Sequence, residues 1–369
     1  MTRIVLSTGG TGGHIFPALA VAEALRARCP EAEVLFVGGQ GPEGALATKA
    51  GLPFVGLPAS GVFGRGIRAL AAPFWMLRAF GLAVGLFSRN RPDVVAGFGG
   101  YAGFIPVAAA TIMGIPTAIQ EQNSVPGVTN KILGRFVNRV FVTYPDEGGA
   151  FPAGKTERLG NPIRGGIAAS RGVKPQGQGK NLLVLGGSQG ARAINDAVAD
   201  SLPALLDAGV TVRLQVGRAD FERMRDRAAA IMAARPEVPG GPRFILENFI
   251  EDMAEAYGFA DLVLARAGAT TLAEATAAGK PCLLIPFPFA THDHQSVNAD
   301  YLRRAGAAVV VAQKDLPGHD LAALVIGLLN DTARLGAMAR ASAAAALPQA
   351  ADAVATALLQ LAASKGGAK

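Results

Sequence analysis

At 369 residues the chain is too long for one small domain and suits two of ordinary size. Hydrophobic residues make up 50% and charged residues 17%, which excludes a disordered chain, and the formal net charge of +7 leaves a solvated basic surface or an anionic partner: phosphate, nucleic acid or an anionic membrane. One Trp, four Tyr and the lack of a Lys/Arg-rich tract argue against nucleic acid bound by base stacking.

Met1-Thr2-Arg3 runs straight into Ile4-Val5-Leu6, so no signal peptide is read and 3–7 is the first predicted strand. Further strands are predicted at 34–37, 94–97, 117–119, 140–142, 182–185, 212–216, 262–264, 283–285 and 308–311. Helices are predicted between them, including 17–28, 191–206 and 270–278. Such alternation implies parallel sheets covered by helices on both faces. The uncharged stretch Val94–Ile119 is long enough to span a bilayer. Its five glycines, with Pro106 and Pro116, make it strand, turn, buried helix, turn and strand instead. Cys29 and Cys282 lie beside apolar segments and read as buried free thiols, with no sign of an oxidising compartment. The default location is the cytosol.

The chain carries a coarse duplication. The strand at 3–7 leads into Gly9-Gly10-Thr11-Gly12-Gly13-His14, and the strand at 182–185 leads into Gly186-Gly187-Ser188-Gln189-Gly190. Two Rossmann-like domains give this pattern. The join is expected near 160–180, a polar Gly/Pro stretch. This gives domains over 1–160 and 161–348, with an Ala/Leu-rich helix at 349–363 packing back on the first.

Glycine-rich turns between strand and helix let a phosphate reach backbone N–H groups at a helix start carrying about half a positive charge. The first such loop, with Pro17 opening its helix, matches neither the dinucleotide fingerprint nor a P-loop. Gly97-Phe98-Gly99-Gly100-Tyr101 forms another cluster, and the three together point to more than one phosphate-bearing ligand. Glu121, in Glu121-Gln122-Asn123, is either a ligand-facing carboxylate at a strand end or an exposed loop acid. Glu274 follows Gly268-Ala269-Thr270-Thr271; it either reaches a ribose diol or complements the helix dipole in the first turn. His292-Asp293-His294-Gln295 has no further His or Cys cluster to support a metal, so none is expected. Gln295 and Asn298 suit a loop binding polar ligand groups, and His319 reads as a surface residue. Phe74, Leu77 and Phe80 at helical spacing, flanked by Arg68 and Arg78, are either a core helix or a patch for an anionic membrane.

In this order, the first glycine loop, 97–101, 121–123, Gly160-Asn161-Pro162-Ile163-Arg164, the loop at 186–191, 249–253, 268–274 and 294–299 closely resemble the MurG family of peptidoglycan N-acetylglucosaminyltransferases over residues 3–345. The resemblance implies a GT-B α/β fold: two Rossmann-like domains with parallel sheets, separated by a cleft. It implies inverting transfer of N-acetylglucosamine from UDP-GlcNAc to lipid I, undecaprenyl-pyrophosphoryl-MurNAc-pentapeptide, with no cofactor. By position it gives Arg164, Ser188, Ile250, Ala269, Thr270, Thr271, Leu272, Glu274 and Gln295 to the donor, Ile250 at uracil and Glu274 at the ribose. Thr11, Gly12, Gly13 and Asn123 come to the sugar from the first domain. Arg164 or Arg266 would stabilise the leaving diphosphate. His14 is the first candidate base and Glu121 the second. Many relatives carry His where this chain has Gln120, and Ser where it has Ala267. Implied partners are an anionic membrane surface and other cell-wall synthesis proteins, and the implied location is the cytoplasmic face of the inner membrane. A UDP-N-acetylglucosamine 2-epimerase, or a transferase with another acceptor, is the rival reading.

Overall fold

A strand apolar on both faces persists only where helices cover both sides. In β1 (Arg3–Ser7), Ile4 and Leu6 enter one core cluster and Val5 the other, following the two-residue period of a strand. The computed structural model describes residues 2–59, 72–172, 180–187, 190–235 and 240–364. It divides into two compact units, Met1–Arg164 with Leu347–Lys369, and Gly165–Ala346.

In the first unit, β1 is followed by α1 (Gly12–Arg28), β2 (Glu33–Gly38), α2 (Glu43–Lys49), β3 (Phe54–Gly56) and α3 (Ala72–Arg89). Then come β4 (Val94–Gly97), α4 (Tyr101–Ile112), β5 (Thr117–Glu121), α5 (Val128–Leu133), β6 (Arg139–Val142) and β7 (Thr156–Arg158). The strands form a seven-stranded parallel sheet in the order β3-β2-β1-β4-β5-β6-β7. The order reverses between β1 and β4, where Ile4 pairs with Val94. The stretch 94–119 is strand, helix and strand, and α4 packs on α3 and α5.

The second unit contains β8 (Lys180–Leu185), α6 (Arg192–Asp207), β9 (Val210–Gln215), α7 (Phe221–Ala233), β10 (Phe244–Glu247), α8 (Met253–Phe259) and β11 (Leu262–Ala265). It continues through α9 (Ala269–Ala277), β12 (Cys282–Leu284), α10 (His294–Arg304), β13 (Ala308–Val310), α11 (Leu321–Asn330) and α12 (Thr332–Ala345). Its six strands are parallel in the order β10-β9-β8-β11-β12-β13, with the reversal between β8 and β11. Its main core joins Leu182, Val184, Ile194, Leu202 and Leu264 with Val325 and Leu328 of α11.

After α12 the chain re-enters the first unit as α13 (Ala350–Ala363). Val354, Ala355 and Leu358 are buried against α1 in the cluster that holds Ile4 and Leu6. The exposed ion pair of Arg28 with Asp352, at 2.8 Å, adds only about 0–1 kcal/mol. Among the described residues, Thr332–Ala363 is long and apolar enough to cross a membrane by length and composition alone. The strand-like backbone at Ala346 breaks it into α12 and α13.

Three strands escape the sequence pattern: β3, β7 and β10. All lie at sheet edges, where strands are short and need not be apolar on both faces. The first helix begins at Gly12, not at Pro17, which lies inside it. Cys282 is buried, and burial pushes its thiol up to about 12. Cys29 is not buried as expected. It is partly exposed, and its thiol donates to Glu31 Oε1 at 3.1 Å. His319 is exposed.

Candidate active site

In each unit the glycine-rich loops leave the carboxyl ends of the two strands that flank the reversal, the place where open α/β sheets bind ligands. In the first unit these are the β1–α1 loop and the β4–α4 loop. The loops press together: Gly100 has φ +76, and a Cβ there would lie 2.1 Å from Gly9 O. No other residue fits. Gly10 N–H donates to Glu43 Oε1 at 2.8 Å, so a buried carboxylate from α2 holds the first loop.

Thr11 is the N-cap of α1, and its carbonyl accepts from His14 N–H at 3.0 Å. Thr11 and Gly13 are exposed, and Gly12 and His14 half-buried, in a first turn whose N–H groups suit an anion. The His14 ring lies against Gly99, where φ is +96 and an added Cβ would come within 2.9 Å of Nδ1. His14 Nδ1 is 3.0 Å from Gln122 Oε1. Arg164 lies over the Phe16 ring of the same helix, 4.8 Å from its centroid.

Glu121 is the last residue of β5 and is buried, so it is not an exposed loop acid. Its Oε1 accepts from Asn123 N–H at 3.0 Å and faces Asn123 Nδ2 at 3.5 Å. Its Oε2 accepts from Gly127 N–H at 3.1 Å and Asn130 Nδ2 at 2.8 Å. Both oxygens are therefore spent on the turn that carries Asn123 and starts α5. A carboxylate engaged in this way is poorly placed to take a proton, and it fixes the loop instead.

In the second unit the loop after β11 leads to α9, whose N-cap is Gly268. Thr270 and Thr271 are half-buried, whereas the side chains of Ala269 and Leu272 are buried. Leu272 N–H is bound to Gly268 O at 3.0 Å, the first bond of the helix ladder. Glu274 is buried in the second turn, not the first, with Tyr257 Oη 3.4 Å from its Oε2. At that depth its carboxylate does not serve the helix dipole at the terminus. Ile250 is also buried, and its backbone N–H and C=O have no protein partner among the described residues.

Arg266 donates to the carbonyls of Ile285 and Pro286 at 3.0 and 3.1 Å and to Gln313 Oε1 at 2.6 Å. Its guanidinium lies over the Phe287 ring. Burial draws it down to about 10, so it stays charged at neutral pH. Its neighbours supply oxygen dipoles and, among the described residues, no carboxylate. A half-buried cation with that surrounding favours an anion. Gln295 Oε1 accepts from Phe287 N–H at 3.0 Å, and Asn298 Nδ2 donates to Ala267 O at 3.1 Å. His292 and Asp293 have φ of 54 and 53, strained positions in the turn before α10. Among the described residues no three His, Cys, Asp or Glu side chains group as metal ligands.

The structure thus gathers Thr11, Gly12, Gly13, His14, Glu121 and Asn123 at the first reversal, with the Arg164 guanidinium stacked on Phe16 of the helix that carries His14. It gathers Ala269–Leu272 and Glu274 on one helix of the second unit. Ser188 and Arg68 lie outside the described residues. Sequence reasoning missed Glu43, Asn130, Tyr257 and Gln313 as supports. It quoted Gln122 only as part of a motif. A strand-end position flanked by a candidate base is the signal that could have singled it out.

The Glycosyltransferase family 28 N-terminal domain matches residues 4–142, and the family's C-terminal domain matches 181–354. The chain is 70% identical over 366 residues to an enzyme of Solidesulfovibrio magneticus, covering 99% of this chain and all of that one. That enzyme is named UDP-N-acetylglucosamine--N-acetylmuramyl-(pentapeptide) pyrophosphoryl-undecaprenol N-acetylglucosamine transferase. An enzyme of the same name from Nitratidesulfovibrio vulgaris is 54% identical, with 98% of each chain covered. The crystal structure of Acinetobacter baumannii MurG superposes with a TM-score of 0.76 at 31% identity, covering 98% of this chain and 100% of that one. With both of its domains matched and relatives of one name aligned end to end, the chain belongs to glycosyltransferase family 28, among its MurG-type N-acetylglucosamine transferases.

Proposed function

We propose that this chain transfers N-acetylglucosamine from UDP-GlcNAc to the muramyl 4-hydroxyl of lipid I, undecaprenyl-pyrophosphoryl-MurNAc-pentapeptide, forming lipid II for peptidoglycan. The observation that carries the reading is 70% identity to an enzyme of that name over 99% of the chain. The donor is α-linked and the product β-linked, so one in-line displacement inverts C1. His14 takes the hydroxyl proton as the new O–C1 bond forms and the C1–phosphate oxygen bond breaks. His14 is preferred over Glu121 because the Glu121 oxygens are committed to Asn123, Gly127 and Asn130. UDP leaves with the bonding pair, its charge met by the start of α9 and by Arg266, so the reading requires no metal and no cofactor.

The second unit binds the donor in this reading. Glu274 accepts from the ribose hydroxyls, and Thr270, Thr271 and the Ala269 amide serve the diphosphate. Ile250 pairs with uracil through its backbone N–H and C=O, because its side chain is buried. Gln295 contributes its amide, and Ser188 belongs to the same set. Thr11, Gly12, Gly13, Asn123 and Arg164 serve the sugar and the acceptor's pyrophosphate. An acceptor on a lipid calls for a peripheral enzyme at the cytoplasmic face of the inner membrane, near other cell-wall synthesis proteins. The exposed Phe74 and Leu77 beside Arg78 on α3 supply an apolar and basic contact for anionic lipid, joined by exposed Ile132 and Lys131 on α5.

The test is UDP release from UDP-GlcNAc with a short-chain lipid I analogue, with and without EDTA. Acceptor-dependent release that survives EDTA is the expected result. No release with a verified acceptor sinks the reading. Conversion of donor without acceptor favours the epimerase, whose likeness to this chain is one of fold alone.

A further inference from the structure

Resting on the reading of His14 as the base, the geometry points to a chain of two buried side-chain amides, Gln120 and Gln122, that dictates which nitrogen of His14 carries its proton. Gln120 Nε2 faces Gly160 O at 3.2 Å, Glu121 O at 3.3 Å and Thr143 Oγ1 at 3.4 Å. A reversed amide would set its oxygen against two carbonyls, so the nitrogen must lie on that side. Gln120 Oε1 then accepts from Gln122 Nε2 at 2.5 Å. Gln122 Nε2 also donates to Phe98 O at 2.9 Å. The orientation of Gln122 is thereby fixed by two acceptors that cannot exchange roles.

Gln122 Oε1 is left to face His14 Nδ1 at 3.0 Å. An amide oxygen only accepts, so the neutral ring carries its hydrogen on Nδ1 and its lone pair on Nε2. Free histidine in water prefers the opposite form. Nε2, which has no partner among the described residues, is then the atom that accepts the hydroxyl proton. The imidazolium keeps Nδ1–H on Gln122, and that bond becomes charge-assisted in the transition state. Nε2 returns the proton to water after UDP leaves, and Nδ1 never exchanges its role. An amide holds the ring without setting a negative charge beside it. Gln122 and Gln120 are therefore positioning residues: they touch no reacting atom.

The test reads the nitrogen resonances of His14 in the full-length, 15N-labelled protein at about pH 8.5, above the ordinary histidine range. A protonated Nδ1 and a bare Nε2 are expected in the wild type. A protonated Nε2 overturns the proposal whatever the kinetics show. In Gln122→Met the ring should relax toward the Nε2–H form, with kcat down about tenfold or more and the donor KM changed less than about twofold. A relaxed ring with unchanged kcat overturns the proposal. Gln120→Met, which keeps the Phe98 anchor, should lower kcat less than Gln122→Met, and the reverse order overturns it. The wild-type spectrum decides the matter if a variant fails to fold. His14→Ala separates the two readings: full activity there removes His14 as base without touching the tautomer result.

Discussion

The two units share a sheet plan and differ in what they place at its reversal. In the first, side chains from α1 and from the end of β5 and the residue after it are wired to one another: His14 to Gln122, Gln122 to Gln120, Glu121 to its own turn. In the second, the offer is mostly backbone and charge: a helix start after Gly268, the half-buried Arg266 and the buried Glu274. A wired set fixes geometry and proton position, as chemistry demands. A helix start with a cation suits a diphosphate and tolerates what is attached to it. On the proposed function, the same fold would carry the proton transfer in one unit and donor binding in the other.

His14→Ala puts the most strain on this comparison. It should lower kcat about 10²–10⁴-fold with UDP affinity unchanged, measured by turnover and calorimetry. Lost UDP affinity would mean that the first unit also binds donor. Next comes the core. Leu358→Ala in α13 should cost about 2–5 kcal/mol in denaturant unfolding, because Leu358 is fully buried in the first unit's cluster. The effect should fall on that unit and spare UDP binding. Glu274→Gln should raise the donor KM about tenfold or more while kcat changes little. A change in kcat alone would give the second unit a share in the chemistry.

The smallest effect expected is electrostatic. Hydrogen bonds from Arg223, then from Asn195, hold the Asp220 carboxyl below the usual carboxylate range. A depressed folded value gives stability that is present above the unfolded Asp range, near about 3.9, and lost as pH falls through the folded value. Tm should therefore fall less steeply between about pH 5 and pH 3 in Asp220→Asn than in the wild type. An equal slope would show that this contact does not set acid stability.

The central strands were legible because both faces are buried and the residues say so: Val94, Val95 and Ala96 admit little else. The edge strands β3, β7 and β10 were not, since half-covered strands carry a weaker signal. The glycine loops were legible because their residues are contiguous. Their supports were not: Glu43 reaches Gly10 across 33 positions, and Gln122 reaches His14 across 108. Tyr257 reads as a core aromatic until its hydroxyl is found beside Glu274. Pro17 misled because proline is expected in the first turn, whereas the helix begins with two glycines and runs through it.

The return of α13 to the first unit has a consequence for synthesis. The face of the first sheet that holds Ile4, Leu6 and Val94 is made first, with α1 covering part of it early and α13 the rest only after the whole second unit. On the ribosome the second unit can close its own core while the first waits with apolar surface open, inviting chaperones or aggregation. Completion of the first unit is thus tied to prior production of the second, and a nascent chain stalled before residue 350 would have a half-covered first sheet however well its second unit had folded.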